Sequence, residues 1–200
     1  MTLELLSVLV LFAFASSITP GPNNLMLLAS GTNFGFRRTV PHMLGISLGH
    51  ALMVALLGLG LAQLFVAYPP FRLALQTVST GYLLYLAWKI GNAAPPADNG
   101  EAPQGKPFTF LQAAAFQWVN PKAWYMAIYA ITNFTPENSG LWGPLWVATV
   151  FSATNLPSVA VWAALGTQLR RLLTRPRLLR AFNWTMAALL VLTLFPIWFS

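Results

Sequence analysis

Of the chain's 200 residues, 56% are hydrophobic and only 8% are charged, which leaves too few polar side chains to cover a soluble globule. The net charge of +7 sits in short patches between apolar runs, without the aromatic and basic interleaving of a single-strand binder, so no nucleic-acid partner is expected. With no cysteine there is neither a disulfide framework nor a thiolate metal site, and no cofactor or metal is called for.

The composition describes an all-α polytopic membrane protein. A spanning helix needs roughly 20 mostly apolar residues, and six runs qualify: Leu5 to Thr32, His42 to Val66, Phe71 to Ile90, Phe110 to Phe134, Trp142 to Gln168 and Leu178 to Phe199. The first run has no basic stretch before it and ends in TPGP rather than at a small-residue cleavage site, so it is expected to be retained. Within it stands Ser17 to Asn24, SITPGPNN. Neither Leu5 to Ile18 nor Leu25 to Ser30 crosses alone, so the break at Pro20, Gly21 and Pro22 falls inside the membrane. There each proline removes a backbone donor and frees a carbonyl one turn earlier. Such backbone is tolerated at that depth only against protein or a polar cavity.

Residues 91–109, rich in proline, glycine and polar side chains, separate a first repeat, 1–90, from a second, 110–200, within one transporter domain. Three spans is an odd number, so a similar second half enters the membrane from the opposite side. The fourth run is also interrupted, at Asn120-Pro121-Lys122, and Thr-Asn-Phe recurs at Thr32 to Phe34 and Thr132 to Phe134. Matched interruptions in corresponding helices point to the substrate site of an inverted-repeat transporter. Of the eleven basic residues, Arg37, Arg38, Lys89, Lys106, Arg170, Arg171, Arg175, Arg177 and Arg180 fall on one side, only Arg72 on the other, and Lys122 inside a span. The rule that basic loops stay inside makes the first side cytoplasmic and both termini periplasmic. Pro103 should then face the cytoplasm and Glu137 the outside. The last five arginines also suit contact with anionic lipid.

A helix that restarts at a proline places it where the missing donor costs nothing, with the preceding residue as cap. Gly21-Pro22 and Asn120-Pro121 fit, and the amides of Asn23, Asn24, Lys122 and Ala123 are left in first turns, where the helix dipole favours an anion. Lys122 lies about 18 Å along its run at the 1.5 Å rise per residue, at a depth where a lysine costs roughly 2.5 to 3.5 kcal/mol. No span carries an acidic partner, since Glu4, Asp98, Glu101 and Glu137 fall at ends or in loops. Backbone carbonyl, water or an anionic ligand remain as partners; the bland reading is a proline kink with a snorkelling lysine.

Gly45-Ile46-Ser47-Leu48-Gly49 reads as a close-packing GxxxG face rather than a nucleophile elbow, because a strand-to-helix turn and an acid partner are both lacking. His50 follows, packed and hydrogen-bonded or else a proton carrier, since histidine is the one residue type in these spans that ordinarily titrates near neutral pH. His42 stands at the helix entrance and reads as interfacial. Asn155 and Pro157 suggest a further kink, and Gln117, Trp118 and Trp124 flank the second break, where the tryptophans read as pocket walls or as ordinary packing.

TPGPNN at Thr19 to Asn24, SGTNFGFRR at Ser30 to Arg38, GISLG at Gly45 to Gly49 and NPK at Asn120 to Lys122 together resemble the LysE/RhtB superfamily of amino-acid exporters. The likeness extends over essentially the whole chain and is nearest to the branch that includes the cysteine and O-acetylserine exporter. It implies outward, proton-driven transport of an amino acid or derivative across the bacterial inner membrane, with no catalytic residue. Many members carry an aspartate directly after the GxxxG; here His50 stands in that place, so a carboxylate-based coupling scheme lacks its residue. The reading is a secondary exporter whose substrate meets Lys122 and the nearby amides through its carboxylate, and Asn23, Asn24 and Asn120 through its ammonium, with Trp124 beside them. Its partners are the amino-acid substrate, protons and membrane lipid, and a homodimer is compatible with it. The alternatives are a passive channel or non-transporting membrane subunit and, from another class, an intramembrane hydrolase using Ser47 and His50.

Overall fold

A computed structural model of the chain describes residues 2–61, 63, 69–93, 106–136, 138–173 and 175–195. Most of the linker, Pro103 within it, and Glu137 lie outside the described residues. Among those described, the regular structure is helical.

Helix α1, Leu3–Ile18, starts on the Thr2 side chain, which accepts from the Leu5 amide at 3.2 Å. It stops because Pro20 forces Thr19 into extended geometry, φ −66° and ψ 144°. Helix α2, Pro22–Phe34, begins with its proline in the first position after Gly21, and the pair is bent by 57° at the break. Gly35, at φ 81°, makes the turn into α3, Phe36–Leu56, a conformation that glycine alone adopts freely. A π turn over Leu57–Leu61 closes α3. Helix α4 covers Pro69–Gly91. Helix α5, Phe110–Phe116, opens with a reciprocal capping box between Thr109 and Gln112, then tightens into a 3₁₀ turn over Gln117–Val119. Helix α6, Pro121–Phe134, restarts on Asn120; α7 runs unbroken over Trp142–Leu172 with Pro157 inside it; α8 spans Pro176–Leu192.

Helices α3 (with its π turn) and α7 are each long and apolar enough to cross a membrane, and α1 with α2 passes as one bent span. Helix α4 has the length, but Gln76, Thr77, Ser79 and Thr80 dilute its apolar content. The outer surface is greasy: Trp88, Tyr125, Trp142, Trp146 and Trp184 are each more than half exposed, as suits a lipid-facing surface.

Four packing relations position the interior. Helices α1 and α2 lie along α7, α5 lies along α3, and α3 with α7 and α4 with α8 form direct pairs. The GxxxG face does what its spacing predicts. A Cβ on Gly45 would run into the Phe110 carbonyl, and one on Gly49 would stand 2.5 Å from Ala114 Cα. Helices α2 and α7 cross equally tightly where Gly31 meets the Ala163 backbone and Gly166 meets that of Leu28. One apolar cluster joins α1, α3, α6 and α7 around Phe151; a second joins α2, α4, α5 and α8 around Phe116; a third joins α2, α3, α5 and α7 around Ile46. Phe34, Lys89 and Lys106 border one cavity, and Arg170 stands against Gly35, so four of the basic segments gather at one end of the bundle.

Candidate functional site

A helix that stops inside protein leaves its last carbonyls without amide partners. At the end of α1 each is met by a side chain or by the closing turn. Thr19 N–H bonds Ala15 O, and Thr19 Oγ1 donates to Ser16 O at 2.9 Å. Asn24 Nδ2, from α2, donates to Ser17 O at 2.7 Å and to Thr19 O at 2.8 Å. Trp162 Nε1, from α7, reaches Ile18 O at 2.9 Å. Lys122 Nζ, from the first turn of α6, donates to Thr19 O at 2.8 Å, Thr19 Oγ1 at 2.9 Å and Pro20 O at 3.3 Å. The lysine therefore neither snorkels nor meets a carboxylate. Its ammonium sits at the carbonyl end of α1, where the dipole favours a cation.

Gly21 makes room for it. The glycine is extended at φ −177°, a conformation open to any residue, but a Cβ there would fall 2.7 Å from Lys122 Cδ.

The second break is capped locally. Asn120 Oδ1 accepts from the Lys122 amide at 3.2 Å, Gln117 Nε2 donates to Ala113 O at 2.9 Å, and Trp124 Nε1 donates to Trp118 O at 2.9 Å. The Lys122 amide, expected to face a ligand, is thus held by its own cap, whereas Gly21 gives α2 no side-chain cap. The two breaks are stitched by a reciprocal amide pair: Asn23 Nδ2 donates to Gln117 Oε1 at 2.9 Å and Gln117 Nε2 to Asn23 Oδ1 at 3.2 Å.

These groups surround a small central cavity of about 20 Å³, room for about one water molecule. Asn23, Asn24, Asn120, Lys122, Gly21 and His50 all border it. Trp124 does not line it. It is built into the apolar cluster of α1, α6 and α7, edge-on to Trp118 at 5.9 Å. Pro22 is buried at the start of α2, and Pro121 opens α6; both set the chain's course rather than supply a polar group.

Four further polar residues line it: Ser16, which no motif marks, Ser17 at the head of the SITPGPNN stretch, Gln117 beside the second break, and Asn155 near Pro157. Ser47 Oγ donates to Asn155 Oδ1 at 2.8 Å, and Asn155 Nδ2 donates to Ser17 Oγ at 3.0 Å, so a buried polar chain links α3, α7 and α1. Ser47 is tied up there as a structural donor. His50 pairs with Ala123 O through Nε2 at 3.2 Å; because a carbonyl only accepts, Nε2 carries the hydrogen, and Nδ1 has no partner. Among the described residues no group of three or more His, Cys, Asp or Glu side chains is placed to hold a metal ion.

An all-α bundle whose broken helices meet at a small polar centre is the architecture of a membrane transport protein. The LysE type translocator family model matches residues 14–195, and the chain belongs to that family. It is a translocator and not an enzyme. It is 33% identical over 193 residues to the cysteine/O-acetylserine efflux proteins of Escherichia coli (strain K12), Escherichia coli O9:H4 (strain HS) and Shigella sonnei (strain Ss046), covering 96% of each chain. No solved structure matches it.

Proposed function

We propose that this protein is a secondary exporter of a small amino acid or derivative across the bacterial inner membrane, and that the central cavity is its substrate site. The observation that carries this reading is the ammonium of Lys122 on the carbonyls of Thr19 and Pro20. Those carbonyls, freed by the helix break, already hold one primary ammonium, and the α-ammonium of an amino acid is its chemical equivalent. A zwitterionic substrate would take the carbonyls with its ammonium and pair its carboxylate with the Lys122 it displaces. The exchange keeps every charge partnered at membrane depth. With room for about one water, the present arrangement is the closed form, and entry requires the two breaks to part.

The packing supports two inverted repeats of three spans. Exchanging α1/α2, α3 and α4 for α5/α6, α7 and α8 turns the packing of the first pair on α7 into that of the second on α3, and leaves the α3–α7 and α4–α8 pairs unchanged. The Thr-Asn-Phe tripeptides end α2 and α6 alike. Rocking of such halves around a fixed site is the usual route of alternating access. The basic end then faces the cytoplasm and both termini the periplasm. Proton coupling would rest on His50, whose Nε2 holds the first turn of α6 beside Lys122 and whose Nδ1 is open to a proton.

The relatives' names suggest O-acetylserine as the test ligand. Its carboxamide should bind the native protein far more weakly than the acid, whereas Lys122→Met should bind acid and amide about equally, because only a direct contact makes the two changes non-additive. Equal losses for the amide in both proteins would remove Lys122 from the substrate site.

A further inference from the structure

A larger cavity than the central one lies away from the breaks. At the basic end, between α2, α3, the end of α4 and the segment leading into α5, lies a space of about 330 Å³, within the roughly 300–1,000 Å³ of small-molecule sites. Lys89 and Lys106 border it, with Asn33 and Asn92, and no carboxylate is among its described lining residues. The Lys89 ammonium stands 5.5 Å above the Phe108 ring. On another side of the cavity's wall, Phe108 stacks on His42 with ring centroids 5.1 Å apart.

His42 is the anomaly. It is only 1% exposed, and neither of its ring nitrogens has a hydrogen-bond partner. A buried polar group left unpaired costs about 1–3 kcal/mol, and native proteins carry few of them. Nearby polar groups are satisfied: Ser30 bonds Thr39 at 2.9 Å, and Asn33 exchanges bonds with Asn183 at 2.9 and 3.3 Å. The cavity therefore combines two cations, an unpartnered imidazole under a single aromatic ring, and room for a small solute.

We propose that this cavity is a second binding site, separate from the central one, for a small solute bearing a carboxylate. Lys89 and Lys106 hold the carboxylate, and displacement of Phe108 brings the His42 ring into contact with the solute's remaining polar group. At the end of the bundle where solute would enter for export, such a site gathers substrate before the central breaks open. The cavity stands on its own lining and does not depend on the role given to Lys122.

The cysteine-free chain allows a clean test. In full-length Ala93→Cys protein in lipid nanodiscs, a negatively charged methanethiosulfonate should react roughly tenfold faster than a positively charged one, as potentials of a few kT require. Lys89→Gln with Lys106→Gln should collapse that ratio. L-serine should slow the reaction, and serinamide, which lacks the carboxylate, should not. The same protection should persist when Lys122→Met is added, which separates this site from the central one, and His42→Phe should weaken it while leaving the rate ratio in place. Equal protection by serine and serinamide, protection lost with Lys122→Met, or a rate ratio indifferent to both lysines would each overturn the proposal.

Discussion

The two helix breaks are built from similar sequence and satisfied in opposite ways. At Asn120-Pro121 the chain supplies its own cap, a 3₁₀ turn and a tryptophan that folds back on its neighbour, so that most of the hydrogen bonds there span six residues or fewer. At Thr19-Pro20-Gly21 the carbonyls of Ile18 and Pro20 depend on residues from the other half of the chain. One break is a helix end finished by its own neighbours; the other is open to partners from the second half of the chain. Polar backbone at membrane depth can serve as a binding element where its partner is a side chain able to leave, and the proposal gives that part to Lys122.

The contrast can be broken from either side. Lys122→Met should have the largest effect on function, costing about 1.5–3 kcal/mol of substrate binding, the range for a hydrogen bond to a charged group. Counterflow in proteoliposomes measures it. The variant should still fold, because an expensive cation has been removed from membrane depth. Asn24→Leu should cost about 1–3 kcal/mol in a detergent-titration unfolding experiment, since it strips the donor shared by Ser17 O and Thr19 O. Trp162→Phe leaves Ile18 O alone and should cost about 1 kcal/mol, nearer the modest values found for polar contacts inside membranes. Asn120→Ala removes only a local cap and should also cost about 1 kcal/mol of stability, with little change in substrate affinity. If Asn120→Ala harms binding more than Asn24→Leu does, the assignment of open and finished ends is reversed.

A sharper and smaller effect belongs to the proton. His50→Gln keeps a donor for Ala123 O and removes titration. It should abolish uphill transport driven by a pH gradient alone while leaving counterflow nearly intact; uphill transport by that variant would show that coupling lies elsewhere.

The course of the chain was legible in its residues because prolines, caps and glycine spacing act within a turn or two. Pro22 and Pro121 start their helices, Gly45 and Gly49 receive α5, and the Thr-Asn-Phe pairs end α2 and α6. The site was legible only in part. Asn23, Asn24, Asn120 and Lys122 came together, but the atoms that Lys122 touches lie 103 residues away, and nothing in the local pattern names Thr19 as their source. Gln117 meets Asn23 across 94 residues, and Ser17 and Asn155 across 138. Hydrophobic periodicity says which face is buried, not which side chain reaches which carbonyl. Trp124 shows the converse: beside the break in sequence, it turns into the apolar cluster because its Nε1 finds Trp118 O there.

The dependence of Ile18 O and Pro20 O on Trp162 and Lys122 also bears on how the protein is made. At about 5–20 residues per second, the ribosome adds Lys122 some 5–20 s after Thr19, and Trp162 later still. Until then the end of α1 has Asn24 for Ser17 O and Thr19 O, but among the described residues nothing from its own half bonds Ile18 O or Pro20 O. The first half must wait in a place where water or the insertion machinery can hold those carbonyls. On the proposed mechanism, biogenesis ends with the closing of the same contact that substrate would later open.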